Sequence, residues 1–175
     1  MQLTKRALLA ASCALAASAL PAAGVFAQPA AWPTKPVRIL VGFPAGSTPD
    51  MAARAIADPL ARVLGQPVIV ENKPGASGNI ATGQVAKAND NHTLGVVING
   101  NLTSAKMLYP DLPYDPAKDF SYISLLATAP LVLVAPADAP TGPAFFAAAK
   151  QGGAKWNYGS VGGGLVGHLG MEMVK

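Results

Sequence analysis

Apolar residues run almost unbroken over positions 7–20, and after Pro36 the chain changes to short apolar runs separated by Gly- and Pro-rich stretches. Residues 37–41 (Val-Arg-Ile-Leu-Val) form a β-branched run that predicts a buried strand. A turn-rich loop follows over 42–50. Residues 51–64 then have helical spacing, with Met51, Ala55, Leu60 and Leu64 able to share one side. Pro59 predicts a kink or a division of that helix, and Gly65 its end. The pattern repeats as a strand over 67–71, a Gly-rich loop over 72–79, a short helix over 80–88, a strand over 93–98 and a polar turn over 99–101. Strand, loop and helix in alternation predict βαβ units and a mainly parallel sheet. Beyond a proline-rich connection at 109–119, the apolar runs 120–127 and 131–135 predict two further strands. A helix over 144–150, a strand end over 156–160, a glycine-rich turn over 161–167 and the start of a helix over 169–175 complete the pattern.

The first apolar run belongs to a different category. Lys5 and Arg6 precede it, Pro21 breaks it, and Val25-Phe26-Ala27 places small residues at −3 and −1 before Gln28. This layout predicts a secretory signal peptide over 1–27, cleaved after Ala27. The run is short for a membrane span, which takes ~20 residues. Cys13, the single cysteine, lies inside the run rather than at its end, which argues against a lipoprotein site and excludes a disulfide framework. No later segment is long and apolar enough to span a bilayer, so the mature chain is expected to be soluble and periplasmic.

Charge narrows the choice of partner. Thirteen Lys and Arg against nine Asp and Glu give +4; Lys5 and Arg6 are two of the thirteen, so the mature chain carries +2. There is no basic run, and nucleic acid is not an expected partner.

Candidate chemistry lies in the loops that follow strands. In an open α/β sheet, ligands collect there, because unpaired N–H groups and helix dipoles favour negative charge. Ala45, Gly46, Ser47 and Asp50 stand in the first loop, with Thr48 beside them. Gly75, Ser77, Gly78 and Asn79 stand in the second. Glycine allows close approach of backbone to an anion, and the short polar side chains add hydrogen-bond groups. The plainer alternative is a pair of ordinary turns with Asp50 and Asn79 as helix N-caps. Gly162, Gly163, Gly164 and Gly167 match G-x-G-x-x-G, but this lies late in the chain and the acidic residue about 20 positions on cannot be sought. A third anion-cradling turn, with Ser160, fits better than a dinucleotide site, and no cofactor is expected. Tyr158 occupies the first glycine position of a G-x-S-x-G elbow. His168 and Glu172 share a helix face without a third metal ligand, His92 sits in a polar turn, and no nucleophile–base pair can be assembled. The chain is therefore read as a non-enzyme that needs no metal. The sequons at Asn91 and Asn101 are short enough to arise by chance.

The order of motifs resembles that of the substrate-binding proteins of tripartite tricarboxylate transporters, the Bug family. The resemblance runs through Trp32-Pro33, Lys35-Pro36-Val37-Arg38, Phe43-Pro44-Ala45-Gly46 with Asp50, and Leu64-Gly65-Gln66-Pro67. It continues through Val68-Ile69-Val70-Glu71-Asn72-Lys73-Pro74-Gly75-Ala76, Leu112-Pro113-Tyr114-Asp115-Pro116 with Asp119-Phe120, and Tyr158-Gly159-Ser160 with His168-Leu169. It implies a two-lobed, type II periplasmic-binding-protein fold. The first lobe would span 28–127; the second would begin at 128–175 and be incomplete, since the chain covers roughly the first half of a typical member. It also implies a monomeric receptor that hands a small organic acid to membrane permease subunits. A ligand sensor that presents a carboxylate to a signalling partner is the alternative. The carboxylate would be held by backbone amides of the first two loops and by the turn after Ser160. Three departures stand out. Ser47 replaces a second glycine, Asp90-Asn91-His92-Thr93 replaces Asp-Gly-Tyr-Thr, and Leu165 replaces a serine.

Overall fold

The computed structural model describes residues 31–174. The segment 1–27 expected to be a signal peptide, the cleavage expected after Ala27, Cys13 and Lys175 lie outside the described residues.

Three parallel strands form one sheet in the order β2-β1-β3: β1 (Val37–Val41), β2 (Val68–Asn72) and β3 (Thr93–Val96). In register, Val37 pairs with Val68 and Val41 with Asn72 on one side of β1; Arg38 pairs with Thr93 and Val41 with Val96 on the other. With both edges covered, β1 is the most deeply buried strand, which is why its sequence is a continuous apolar run broken only by Arg38. Arg38 forms a two-pronged bond with Glu71 on the neighbouring strand, Nε to Oε1 at 2.6 Å and a terminal nitrogen to Oε2 at 2.9 Å.

Helix α1 (Thr48–Leu64) connects β1 to β2, and α2 (Asn79–Lys87) connects β2 to β3. The two helices cover opposite faces. Ile39 and Val41 pack with Ala53 of α1, together with Ile56, Val68, Val70, Leu94 and Val96. On β3, Gly95 points the other way, and a Cβ there would sit 2.8 Å from Val85 of α2. The side of α1 that turns inward carries Ala53, Ile56, Ala57 and Leu60, at spacings of three and four. Met51 and Ala55, read from the sequence as part of a shared side, are exposed instead. Helix α1 also continues unbroken through Pro59. The ring removes one N–H bond, to the carbonyl of Ala55; both residues lie on the exposed side of the helix, where that carbonyl is not buried without a partner. Gly65 ends the helix as expected, at φ 67°, with its N–H bonded to the Ala61 carbonyl at 2.9 Å.

After β3 come two single-turn helices, α3 (Asn99–Leu102) and α4 (Ala105–Leu108), where the sequence suggested a plain polar turn. Helix α5 (Pro143–Gly152) and helix α6 (Val166–Val174) follow. The strands expected over 120–127, 131–135 and 156–160 do not form among the described residues. The apolar runs are present, but no described backbone pairs with them. A β-branched run becomes a strand only when a neighbour takes its N–H and C=O groups. Ile123, Leu125, Val132 and Val134 are between 76 and 82 % exposed.

Asp90 closes the turn into β3. One of its carboxylate oxygens accepts the N–H groups of His92 and Thr93, both at 3.0 Å. Asn91 is left-handed at φ 53°, a conformation that asparagine tolerates, so it can stand where a glycine was expected. His92 is buried; its Nδ1 bonds the Asp90 carbonyl at 2.7 Å, and its Nε2 accepts the Thr34 N–H at 3.1 Å. This histidine is a structural tie.

Candidate functional site

Parallel strands bring their carboxyl ends to one edge of the sheet, so the loops after β1, β2 and β3 lie side by side. In the first loop, Gly42 touches the second. A Cβ at Gly42 would sit 2.6 Å from the Gly78 Cα and 2.7 Å from the Gly78 carbonyl oxygen. Gly46 is left-handed at φ 81°. Ser47 is extended at φ −70°, which any residue adopts, so serine stands there in place of glycine without strain. It is the N-cap of α1 by position, but its hydroxyl bonds the Pro44 carbonyl at 2.6 Å instead of a helix N–H.

Asp50 is almost fully buried and joins the first two loops. It accepts the Gly46 N–H at 2.8 Å, Arg54 Nε at 3.0 Å on both oxygens, and Asn72 Nδ2 at 2.9 Å. The same Asn72 amide reaches the Phe43 carbonyl at 2.9 Å. The Arg54 guanidinium, then the Gly46 N–H and the Asn72 amide, hold the Asp50 carboxyl at about 2 against the opposing effect of burial. Asp90 is likewise held at about 2, first by the His92 N–H. Both folded values lie below the unfolded carboxylate range near 4. Their stabilisation is therefore complete above about pH 4 and is lost as pH falls towards 2. Melting temperature should fall steeply over that window in the unmodified protein. In Asp50→Asn it should fall less steeply from a lower starting value; an unchanged slope would show that Asp50 contributes nothing to acid lability.

The second loop contains three successive left-handed residues, Ala76 (φ 46°), Ser77 (φ 56°) and Gly78 (φ 90°). Two of them carry a Cβ, so the turn is strained and must be held by its surroundings. Asn101 of α3 does this. Its amide donates to the Ser77 carbonyl at 2.9 Å and to Asn79 Oδ1 at 2.8 Å. The Tyr114 hydroxyl lies 2.7 Å from Asn79 Oδ1 and 2.8 Å from the Asn101 carbonyl. Burial pushes the Tyr114 hydroxyl above its ordinary pKa, which keeps it a donor. Asn79 is the first residue of α2 rather than its N-cap; that position falls to Gly78. A Cβ at Gly78 would sit 2.9 Å from the Phe43 ring and 3.2 Å from Asn101 Nδ2, so this glycine serves the contact between loops.

The glycine-rich turn docks on the second and third loops. The Gly163 carbonyl accepts from the Ser77 and Tyr109 hydroxyls, each at 3.3 Å, and the Gly164 carbonyl accepts from Ser104 at 2.6 Å. Leu165 is buried against Gly100, where a Cβ would meet it at 2.5 Å. A Cβ on Gly162 would sit 2.5 Å from Ser77 Oγ. Below the turn, His168 Nδ1 accepts the Gly164 N–H at 2.9 Å, and the Tyr158 hydroxyl donates to Glu172. Among the described residues, no group of three His, Cys, Asp or Glu could hold a metal ion.

Of the residues singled out from sequence, Ser77, Asn79, Gly163 and Gly164 meet at one narrow cavity between the loops, with no room for a water molecule. Ala45, Gly46, Ser47, Asp50, Gly75, Gly78, Ser160 and Gly162 do not line it. Ala45, Gly46 and Ser160 are exposed, and Asp50 and Gly78 are engaged in joining loops. Ser104, Tyr109 and Asn101 line it and were missed. The topology held a usable signal: the turn after β3 must lie at the same sheet edge as the other two loops.

The tripartite tricarboxylate transporter family receptor model matches residues 52–175. A UPF0065 protein from the gbd 5' region of Cupriavidus necator is 41 % identical over 172 residues, covering 93 % of this chain and 49 % of the relative. A UPF0065 protein of Bordetella pertussis is 38 % identical over 164 residues, covering 92 % of this chain and 50 % of the relative. The chain thus spans about half the length of these curated relatives. Among solved structures, MatC from Rhodopseudomonas palustris with bound malate is 42 % identical with a TM-score of 0.52, covering 54 % of this chain and 33 % of that one.

Proposed function

The chain belongs to the tripartite tricarboxylate transporter receptor family, and from that premise we propose that it serves as an exported solute receptor. It captures a small organic carboxylate in the periplasm and delivers it to the permease subunits of a tripartite transporter. Residues 28–127 supply the first lobe and residues from 128 onward open the second, after removal of the signal segment behind Ala27. The observation that carries this reading is the meeting of the second strand-end loop, the third, and the glycine-rich turn at a single cavity with hydroxyl and amide donors. Donors of that kind satisfy a carboxylate. The malate bound to the related MatC belongs to the same chemical class.

A thermal-shift screen of the full-length protein against organic acids tests the proposal. A ligand present at 100 times its Kd stabilises by about 2.7 kcal/mol. Dicarboxylates such as malate and succinate should raise the melting temperature, and their diamides should not. Equal shifts for acids and diamides, or no shift with any acid, would overturn it.

A further inference from the structure

We propose that the Ser77, Ser104 and Tyr109 hydroxyls, with the Asn79 side-chain amide, form the subsite that grips one carboxylate group of the ligand, and that the Gly163 and Gly164 carbonyls compete for it. This rests on the receptor reading above and assigns donors to it.

The hydroxyls form a chain. Tyr109 reaches Ser77 Oγ at 3.1 Å, both reach the Gly163 carbonyl at 3.3 Å, and Ser104 reaches the Gly164 carbonyl at 2.6 Å. Two carbonyl oxygens of consecutive residues thus lie where three donors converge. A carboxylate presents two oxygens of the same kind with more negative charge, so it makes stronger bonds to the same donors. A second observation is independent of the turn. Asn79 is 3 % exposed and lines this cavity, yet its Nδ2 has no hydrogen-bond partner. Its Oδ1 already accepts from Asn101 Nδ2, and a flipped amide would set two NH₂ groups against each other there. A buried, unpaired donor is costly, and an anion in the cavity relieves that cost. Among the described residues, no Lys, Arg or His lines the cavity. Neutral donors alone suit a single carboxylate better than a doubly charged phosphate.

The cavity is also too narrow to admit a water molecule while the turn is docked. A carboxylate can enter only as the two carbonyls withdraw. Leu165, wedged against Gly100, anchors the turn without being one of the hydroxyl donors that also tether it. Removing donors and loosening the turn should therefore act in opposite directions.

Calorimetric titration of the full-length protein with malate and with succinate tests this. Ser104→Ala and Tyr109→Phe should each weaken both acids about tenfold, by the same factor, because the carboxylate is what the two acids share. Thr103→Ala is the control, since its hydroxyl bonds the Asn99 carbonyl at 2.9 Å away from the cavity; it should change nothing. Leu165→Ala should tighten binding several-fold. Hydroxyl variants that bind within twofold of the unmodified protein, or a Leu165→Ala that binds more weakly, would overturn the subsite while leaving the receptor reading intact. An unmodified protein that binds neither acid would overturn both for dicarboxylates.

Discussion

Gly42→Ala is expected to lower the melting temperature by about 10 °C, and Gly46→Ala by only a few degrees, although both glycines stand in the same loop. At Gly42 the added methyl group would meet the Gly78 Cα at 2.6 Å and the carbonyl oxygen at 2.7 Å. Both are backbone atoms that no rotamer change can move, so the two loops must separate. Overpacking of that kind costs about 3 kcal/mol, and at this chain length each kcal/mol is worth roughly 3 °C. At Gly46 a Cβ meets nothing within 4 Å, and the cost is only that of a left-handed alanine at φ 81°, about 1 kcal/mol. Thermal unfolding of the two variants side by side decides the matter. Equal losses would mean that the loops yield at Gly42, and that their contact does not fix their positions.

Asn101→Ala is expected to cost about 2–4 kcal/mol in urea unfolding. The Asn101 side chain is 1 % exposed and donates to the Ser77 carbonyl and to Asn79 Oδ1. Without it, two buried acceptors lose a donor and the strained turn at Ala76 and Ser77 loses its brace. Amide exchange across 76–79 should quicken in the same variant. Asn101→Asp should be no better, because a carboxylate facing two acceptors repels them. An Asp variant as stable as the unmodified protein would show that the amide donors are dispensable.

The parts of the fold that follow from local pattern were legible in the sequence. A buried run at 37–41, a helix stop at Gly65 and glycine-rich loops between apolar segments needed only periodicity and turn chemistry. The runs at 120–127 and 131–135 carried the same signal without forming strands, because strand formation depends on a partner that composition does not reveal. The loops that carry the candidate site were legible in outline, and the contacts their side chains make were not. Asp50 looked like a ligand group or a cap, yet it is surrounded by Gly46, Arg54 and Asn72. Gly78 looked like space for an anion, yet that space holds Phe43. Ser104 and Tyr109 follow β3 at no motif spacing, and only the parallel order of the sheet brings them beside Ser77. Pattern locates loops; which side chains they share depends on contacts across 24 to 86 residues of sequence.

The backbone contact at Gly42 and Gly78 has a thermodynamic consequence. Two turns whose backbones touch, with the Phe43 ring already seated against Gly78, have few rotamers left to freeze when a guest arrives. The wall formed by the second loop, backed by the first, therefore loses almost no entropy on association, and on the proposed reading the ordering cost falls on the glycine-rich turn at 163–165 and on the ligand itself. On the proposed receptor reading, affinity should then depend chiefly on how tightly that segment is tethered. Exchanging the residues that tether it would shift dissociation rates while the fixed wall stays the same.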